Sequence, residues 1–214
     1  MRGLKAYKDD KLLKFIIVYG ILYIMAFFWL ECREVSAIHI VSWALDERIP
    51  FCEYFIVPYY FWFVYIAITM IYIIFFCKEQ RERKSFIFSF CMGMSVFLLV
   101  SCVYPNGHEL RPEIEGDSVF IQAVRLLHWM DTPTNILPSM HVFVTVACSI
   151  ALLRQKELRK YKWFIPIVWV CSILIILSTL FLKQHSVVDV IWALILNVAC
   201  YILFYRVYFQ FSKG

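Results

Sequence analysis

The sequence predicts an all-α, polytopic membrane protein, a bundle of six transmembrane helices forming a single domain over residues 1–214. Three observations carry that prediction. The chain is 62% hydrophobic and only 17% charged, whereas soluble domains average about 45–50% apolar and about 25% charged residues. Six apolar stretches each approach the roughly 20 residues that cross a hydrocarbon core. The basic residues collect in alternate connections between those stretches, the pattern of a chain oriented by its positive charges.

The first stretch, residues 12–30, needs Lys14 to snorkel at its end. It is expected to be a retained span rather than a secretion signal, because it lacks a small-residue cleavage site and five more spans follow. In the 31–53 connection, Ile38, Val41, Trp43 and Leu45 alternate with polar residues and predict a short interfacial helix. Pro50 and Pro58 set the entry to the second span, 54–77, where Tyr59 to Phe63 reads as an aromatic belt. The third span covers 85–104. The 105–135 connection is broken by Pro105, Gly107, Pro112 and Gly116, with a short interfacial helix expected over 118–130. The fourth span, 136–153, is short and begins with Pro138, which suits a first helical turn because it lacks an N–H. The fifth and sixth cover 163–182 and 186–205. Stretches of this length are too long for barrel strands and must satisfy their own backbone groups, so they are helices.

Sixteen of the 21 Lys and Arg residues lie in the N-terminal segment, the 78–84 and 154–162 connections and the C-terminal tail. That bias predicts cytoplasmic termini and places the 31–53, 105–135 and 182–186 connections outside. The formal +5 divides into about +11 inside and about −6 outside. It is a topology signal and calls for no nucleic-acid partner; the basic loops suit anionic membrane lipid. Eight cysteines include no CxxC pair. Cys32 and Cys52 share the first outer connection, where an oxidising compartment would permit a disulfide that spacing alone does not establish.

The residues with acid–base chemistry converge on the outer side. His185 and Asp189 are four apart and share a helix face. A carboxylate there can hold one ring nitrogen protonated and leave the other free to attack; the plainer reading has Asp189 capping its helix. His141 lies near the start of the fourth span, placed either as a general acid or as an interhelical histidine. Ser139 and the neighbouring N–H groups sit at a helix N-terminus, where anions bind. Arg111 carries a planar fork suited to phosphoryl oxygens, or pairs with Glu109, Glu113 or Glu115. Arg125, Asp131, Asn135 and Lys183 lie on the same side with no spacing that fixes a role. Neither HExxH nor a close multidentate cluster appears, so neither metal nor cofactor is expected. There is no serine elbow, Gly-rich phosphate cradle or inverted repeat of the kind transporters use.

Arg111-Pro112, Pro138-Ser139-Met140-His141 and Ser178-x6-His185-x3-Asp189 together resemble the type 2 phosphatidic acid phosphatase (PAP2) superfamily. The resemblance covers nearly all of the chain, and the last two motifs carry most of its specificity. It implies six membrane helices with an extracytoplasmic site, and metal-independent phosphoryl transfer in two steps. His185 would attack phosphorus with Asp189 orienting it, His141 would protonate the leaving group, and Arg111 and the backbone around Ser139 would hold the phosphoryl group. The substrate class implied is a phospholipid, a sphingolipid or a polyprenyl phosphate; oligomeric state is left open.

Three positions depart from the family pattern. Tyr104 stands where a lysine is usual, Met140 replaces a glycine, and Thr179 replaces an arginine. Two phosphate-facing cations are therefore missing unless Lys183 or Arg125 folds back, and each lost charge-assisted contact is worth about 1.5–3 kcal/mol. A phosphodiester needs fewer cations than a monoester. Pro138-Ser139-Met140-His141 and Lys183-Gln184-His185 also look like the branch that includes inositol phosphorylceramide and sphingomyelin synthases. Three expectations follow: hydrolysis of a lipid phosphate or pyrophosphate, phospholipase C-like cleavage or headgroup transfer of a phosphodiester to water or a lipid alcohol, and a nonenzymatic lipid-binding or transport protein.

Overall fold

The computed structural model describes residues 10–35 and 37–208; Arg2, Lys5, Lys8 and Lys213, which enter the charge argument, lie outside them. Helix α1 (Lys11–Cys32) starts where Asp10 Oδ1 accepts the N–H groups of Leu12 and Leu13 at 3.0 and 3.2 Å. Asp10 also pairs with Arg83 at 2.6 Å, which ties α1 to α4 (Gln80–Val103). The other face of α1, with Ile17, Leu22, Met25 and Trp29, is exposed, in keeping with contact to lipid. Between them come α2 (Ala44–Arg48) and α3 (Ile56–Ile71), which is entered through the turn Glu53–Phe55 and widens into a π turn at Tyr72–Phe76.

After α4 follow α5 (Val119–Met130), α6 (Met140–Leu153), α7 (Phe164–Phe181) and α8 (Val187–Tyr201), which continues as a π turn over Ile202–Val207. Among the described residues, five helical runs, 11–32, 53–76, 80–103, 164–181 and 187–207, are long and apolar enough to cross a membrane. The remaining expected span is α6, and it is shorter than the sequence suggested. Its 14 residues reach about 21 Å at the α-helical rise, less than the roughly 30 Å of a hydrocarbon core. Residues 136–139 are not helical: Leu137–Pro138 is a cis peptide and Ser139 is the N-cap, so Pro138 lies just outside the helix.

The position of α6 accounts for its length. It packs against α3, α4, α7 and α8, and ten of its fourteen side chains are buried, so it meets protein where the outer helices meet lipid. Its hydroxyls find partners within the bundle. Thr145 donates to the His141 carbonyl at 2.6 Å, Ser149 to that of Thr145 at 2.7 Å, and Ser149 meets Ser172 and Tyr65 at 2.6 and 2.9 Å. Gly93 of α4 leaves room for the Phe143 ring; a Cβ there would lie 1.9 Å from it. Gly93→Ala is expected to lower stability by about 1–3 kcal/mol through overpacking, read as an earlier thermal unfolding midpoint in detergent. An unchanged midpoint would show that the ring can move aside freely.

At one end of the bundle Arg154 makes a two-pronged contact with Glu82, 2.6 Å on each arm. At the other end the long connections knit together. His39–Ile40 (β1) pairs in parallel with Asn106–Gly107 (β2), so the expected interfacial helix around 38–45 is instead an extended pair followed by the short α2. The N–H groups of His39 and Val41 are taken by the carbonyls of Pro105 and Gly107, which holds that stretch extended. Asn106, 1% exposed, accepts the N–H groups of Ile136 and Leu137 at 2.9 Å through its side chain and that of Asn135 at 2.7 Å through its carbonyl. Gly107 leaves no space for a side chain, since a Cβ would lie 2.6 Å from the Pro133 carbonyl. The helix expected over 118–130 is α5, capped by Ser118. Cys32 and Cys52 are free thiols.

Candidate active site

The N-termini of α6 and α8 meet at the knitted end, where the Ser139 N–H donates to the Asp189 carbonyl at 3.2 Å. His141, in the first turn of α6, is enclosed by Tyr59 and Trp62 of α3, with ring centroids 4.7 and 4.2 Å away. The expected aromatic belt is therefore divided. Tyr59 and Trp62 are buried against the histidine, while Phe61 and Phe63 face outward, as helical spacing requires.

His185 sits in a tight turn between α7 and α8. The N–H groups of Gln184 and His185 both donate to the Thr179 carbonyl, at 2.9 and 3.1 Å. His185 Nδ1 lies 3.4 Å from Asp189 Oδ2, and that oxygen also accepts the Ser186 N–H at 2.8 Å. Asp189 thus caps its helix and faces His185 at once, one group serving both readings of the sequence. On its other side, His185 Nε2 lies 3.4 Å from His141 Nδ1. Burial foremost, then the Arg111 charge, pushes the His185 pKa down to about 3 against a hydrogen bond with the Ile136 backbone. At neutral pH the ring is the unprotonated, nucleophilic form.

A narrow cavity of about 30 Å³ opens beside the two histidines, with Glu31, Asp131 and Asn135 among its walls. Glu31 accepts from Asn135 Nδ2 at 2.8 Å and from Thr132 Oγ1 at 2.7 Å. The Tyr59 hydroxyl donates to Asp131 Oδ2 at 3.4 Å. Burial raises the Asp131 pKa to about 6; Arg111 opposes that rise and Glu31 adds to it.

The other expected residues fall less centrally. Arg111 donates to the His128 carbonyl at 3.2 Å and to Gln184 Oε1 at 2.7 Å. Gln184, rather than Arg111, reaches the cavity wall. The Nε of Arg111 is buried with no hydrogen-bond partner among the described residues, an unspent donor of the type an anion takes. Ser139 is buried, its hydroxyl accepting from Val142 N at 3.3 Å, and it does not line the cavity. Tyr104 stacks on His39 at 4.2 Å, and Arg125 lies at the surface beside Asp117 and the Ile114 carbonyl. Lys183 adjoins the site but turns its ammonium to the Asp46 carbonyl. Neither cation stands in for the two missing from the motifs.

Glu31, Asp46, His108 and Gln184 also belong to this end, and the sequence singled out none of them for a role. Leu110 N donates to His108 Nδ1 at 3.1 Å, so Nε2 carries the hydrogen and donates to the Gln184 carbonyl at 3.0 Å. Burial pushes the His108 pKa down to about 4, so it supports the turn as a neutral ring. The only signal in the sequence was an isolated polar residue in an apolar or loop setting, which many surface positions share.

The family model described as the PAP2 superfamily matches residues 111–213, a stretch that begins at Arg111 and contains His141, His185 and Asp189. That stretch is similar to the PAP2 superfamily. Members of the superfamily are phosphatases and phosphotransferases, and the matched region lies in a helical chain with five membrane-length apolar helices among the described residues. No curated protein and no solved structure matches the chain. Glu31, Asp46 and Tyr59 lie outside the PAP2 match.

Proposed function

We propose that the protein is a membrane enzyme that removes a phosphoryl group from a lipid phosphate or pyrophosphate through a phosphohistidine on His185. The observation that carries the reading is the line Asp189, His185, His141: a carboxylate behind one ring nitrogen and a second imidazole facing the other, each gap 3.4 Å. Asp189 keeps the hydrogen on Nδ1, leaving the Nε2 lone pair to attack phosphorus. As the N–P bond forms, the P–O bond to the lipid breaks, and His141 in its protonated form gives its proton to the departing oxygen. In the second step a water gives a proton to His141 while its oxygen attacks phosphorus and the P–N bond breaks. A 3.4 Å nitrogen–nitrogen gap is direct contact and a 30 Å³ cavity holds about one water, so the rings part as substrate enters. The lipid is a phospholipid, sphingolipid or polyprenyl phosphate, presented at the extracytoplasmic face with both termini in the cytoplasm.

A second reading, transfer of a phosphodiester headgroup to a lipid alcohol or to water, is favoured by the charge of the cavity. Glu31 and Asp131 line it, and Arg111 stands behind Gln184. A dianionic monoester meets more repulsion there than a monoanionic diester. The discriminating experiment supplies the purified protein with phosphatidic acid, a polyprenyl pyrophosphate and a phosphodiester phospholipid, with and without a lipid alcohol. Inorganic phosphate from the first two supports hydrolysis. Headgroup transfer to the alcohol supports the second reading, and no product from any lipid counts against both.

Asp131 gives this reading a pH dependence. With its pKa at about 6, it gains negative charge as pH rises through that value, and the cavity then repels an anionic headgroup. Asp131→Asn is expected to leave KM near wild type at pH 5 and to lower it about 5-fold at pH 8, equivalent to about 1 kcal/mol of like-charge repulsion. A KM ratio that stays constant across the range would remove Asp131 from substrate recognition.

A further inference from the structure

We infer that Asp46, from the short helix α2, is the positioning residue for the His185 turn; the inference rests on the phosphohistidine reading and adds a residue from outside the PAP2 match. Asp46 is 2% exposed. Its Oδ2 accepts the Ser186 hydroxyl at 2.6 Å and its Oδ1 the Val187 N–H at 2.8 Å, while its own carbonyl accepts the Lys183 ammonium. The carboxylate also takes the Trp43 N–H at 2.7 Å, which anchors α2 itself.

These contacts grip the chain on both sides of His185, two residues before it and one and two residues after. They continue inward through Ser186, whose hydroxyl meets Asp46 and whose N–H holds Asp189 Oδ2, the oxygen facing His185 Nδ1. His108 and Arg111 hold the remaining residue of the turn, Gln184, through its carbonyl and its side chain. Asp46 touches neither histidine ring in this arrangement. It acts through Ser186 and the start of α8.

A buried carboxylate is costly unless its oxygens are satisfied. Here every bond that satisfies Asp46 lands on α2 or on the His185 turn, none on an ordinary packing contact. A misplacement of about 1 Å at a reacting group can cost about 100-fold in rate. The chain thereby couples its first long connection, 31–53, to the nucleophile at the opposite end of the sequence.

The test uses the full chain in lipid nanodiscs with Asp46→Asn, Asp46→Ala, Ser186→Ala and the Asp46→Asn/Ser186→Ala double variant. Two readouts are taken: ring nitrogen NMR of His185, and the rate of phosphoenzyme formation on the lipid that gives product. Wild type is expected to show one His185 tautomer with hydrogen on Nδ1, and Asp46→Asn and Ser186→Ala to show averaged ring signals. Each single variant is expected to slow phosphoenzyme formation about 10- to 100-fold with KM changed less than about 2-fold. The double variant should be no slower than the slower single, because both changes cut the same path. An Asp46→Asn protein with wild-type rate and ring spectrum overturns the inference, as do effects that multiply in the double variant. If wild type forms no phosphoenzyme while Asp46→Asn still averages the ring, the phosphohistidine reading fails and the positioning role stands. If Asp46→Ala does not fold, Asp46→Asn and Ser186→Ala decide the question.

Discussion

His185→Ala is expected to reduce turnover by about 10⁴-fold or more while the protein remains folded. Loss of a covalent nucleophile removes the reaction path itself, and comparable deletions in other covalent enzymes fall in this range. Retention of the fold follows from where the turn gets its support. The backbone of residues 184 and 185 is held by the Thr179 carbonyl, Ser186 by Asp46, and Asp189 by the Ser186 N–H. The ring itself contributes two side-chain contacts at 3.4 Å and a hydrogen bond with the Ile136 backbone. The check is turnover beside a thermal unfolding curve in the same detergent. A folded variant that keeps a tenth of wild-type activity would mean that another group attacks phosphorus.

His141→Ala is expected to show a loss that depends on the leaving group. General acid catalysis contributes about 10²- to 10⁴-fold, and that help is needed only when the departing oxygen is basic. With a lipid alkoxide the variant should slow by about that factor, and with an activated phenolate ester by less than about 10-fold. The ring also fills the space between Tyr59, Trp62 and His185, so a packing defect would slow both esters alike. Equal slowing would therefore assign His141 a structural place instead of a proton.

The helical bundle was legible because apolar length is a strong signal, and five runs of 18 residues or more among the described residues repeat it. The same signal misjudged α6. Residues 136–139 are as apolar as a helix end, yet Asn106 fixes the N–H groups of Ile136 and Leu137 in the loop and the helix starts only after the Ser139 cap. Spacing predicted that His185 and Asp189 share a helix face; the two do meet, but His185 lies in the turn before the Ser186 N-cap and Asp189 faces it from the first turn of α8. The approach of His141 to His185 depends on how α6 and α8 pack, a relation 44 residues apart in sequence that no local pattern encodes.

The cavity's remaining groups were hidden for the same reason. Glu31 ends an apolar helix, where a carboxylate reads as a solvated terminus, and its place opposite the histidines comes from Thr132 and Asn135. Asp46 sits among residues whose alternation suggested an interfacial helix; the cross-connection to Ser186 spans 140 positions. Arg111 was singled out as a direct phosphate ligand, and it instead reaches the cavity wall through Gln184.

The most direct test of the phosphohistidine on His185 is a single-turnover quench with the phosphate-labelled lipid that the protein consumes, followed by mass spectrometry of its peptides. The expected result is a transient phosphate, stable to base and labile to acid, on the peptide that contains His185, appearing before product and absent from His185→Ala. Product formed in one turnover with no phosphopeptide at any time, or with the phosphate on another residue, would contradict it.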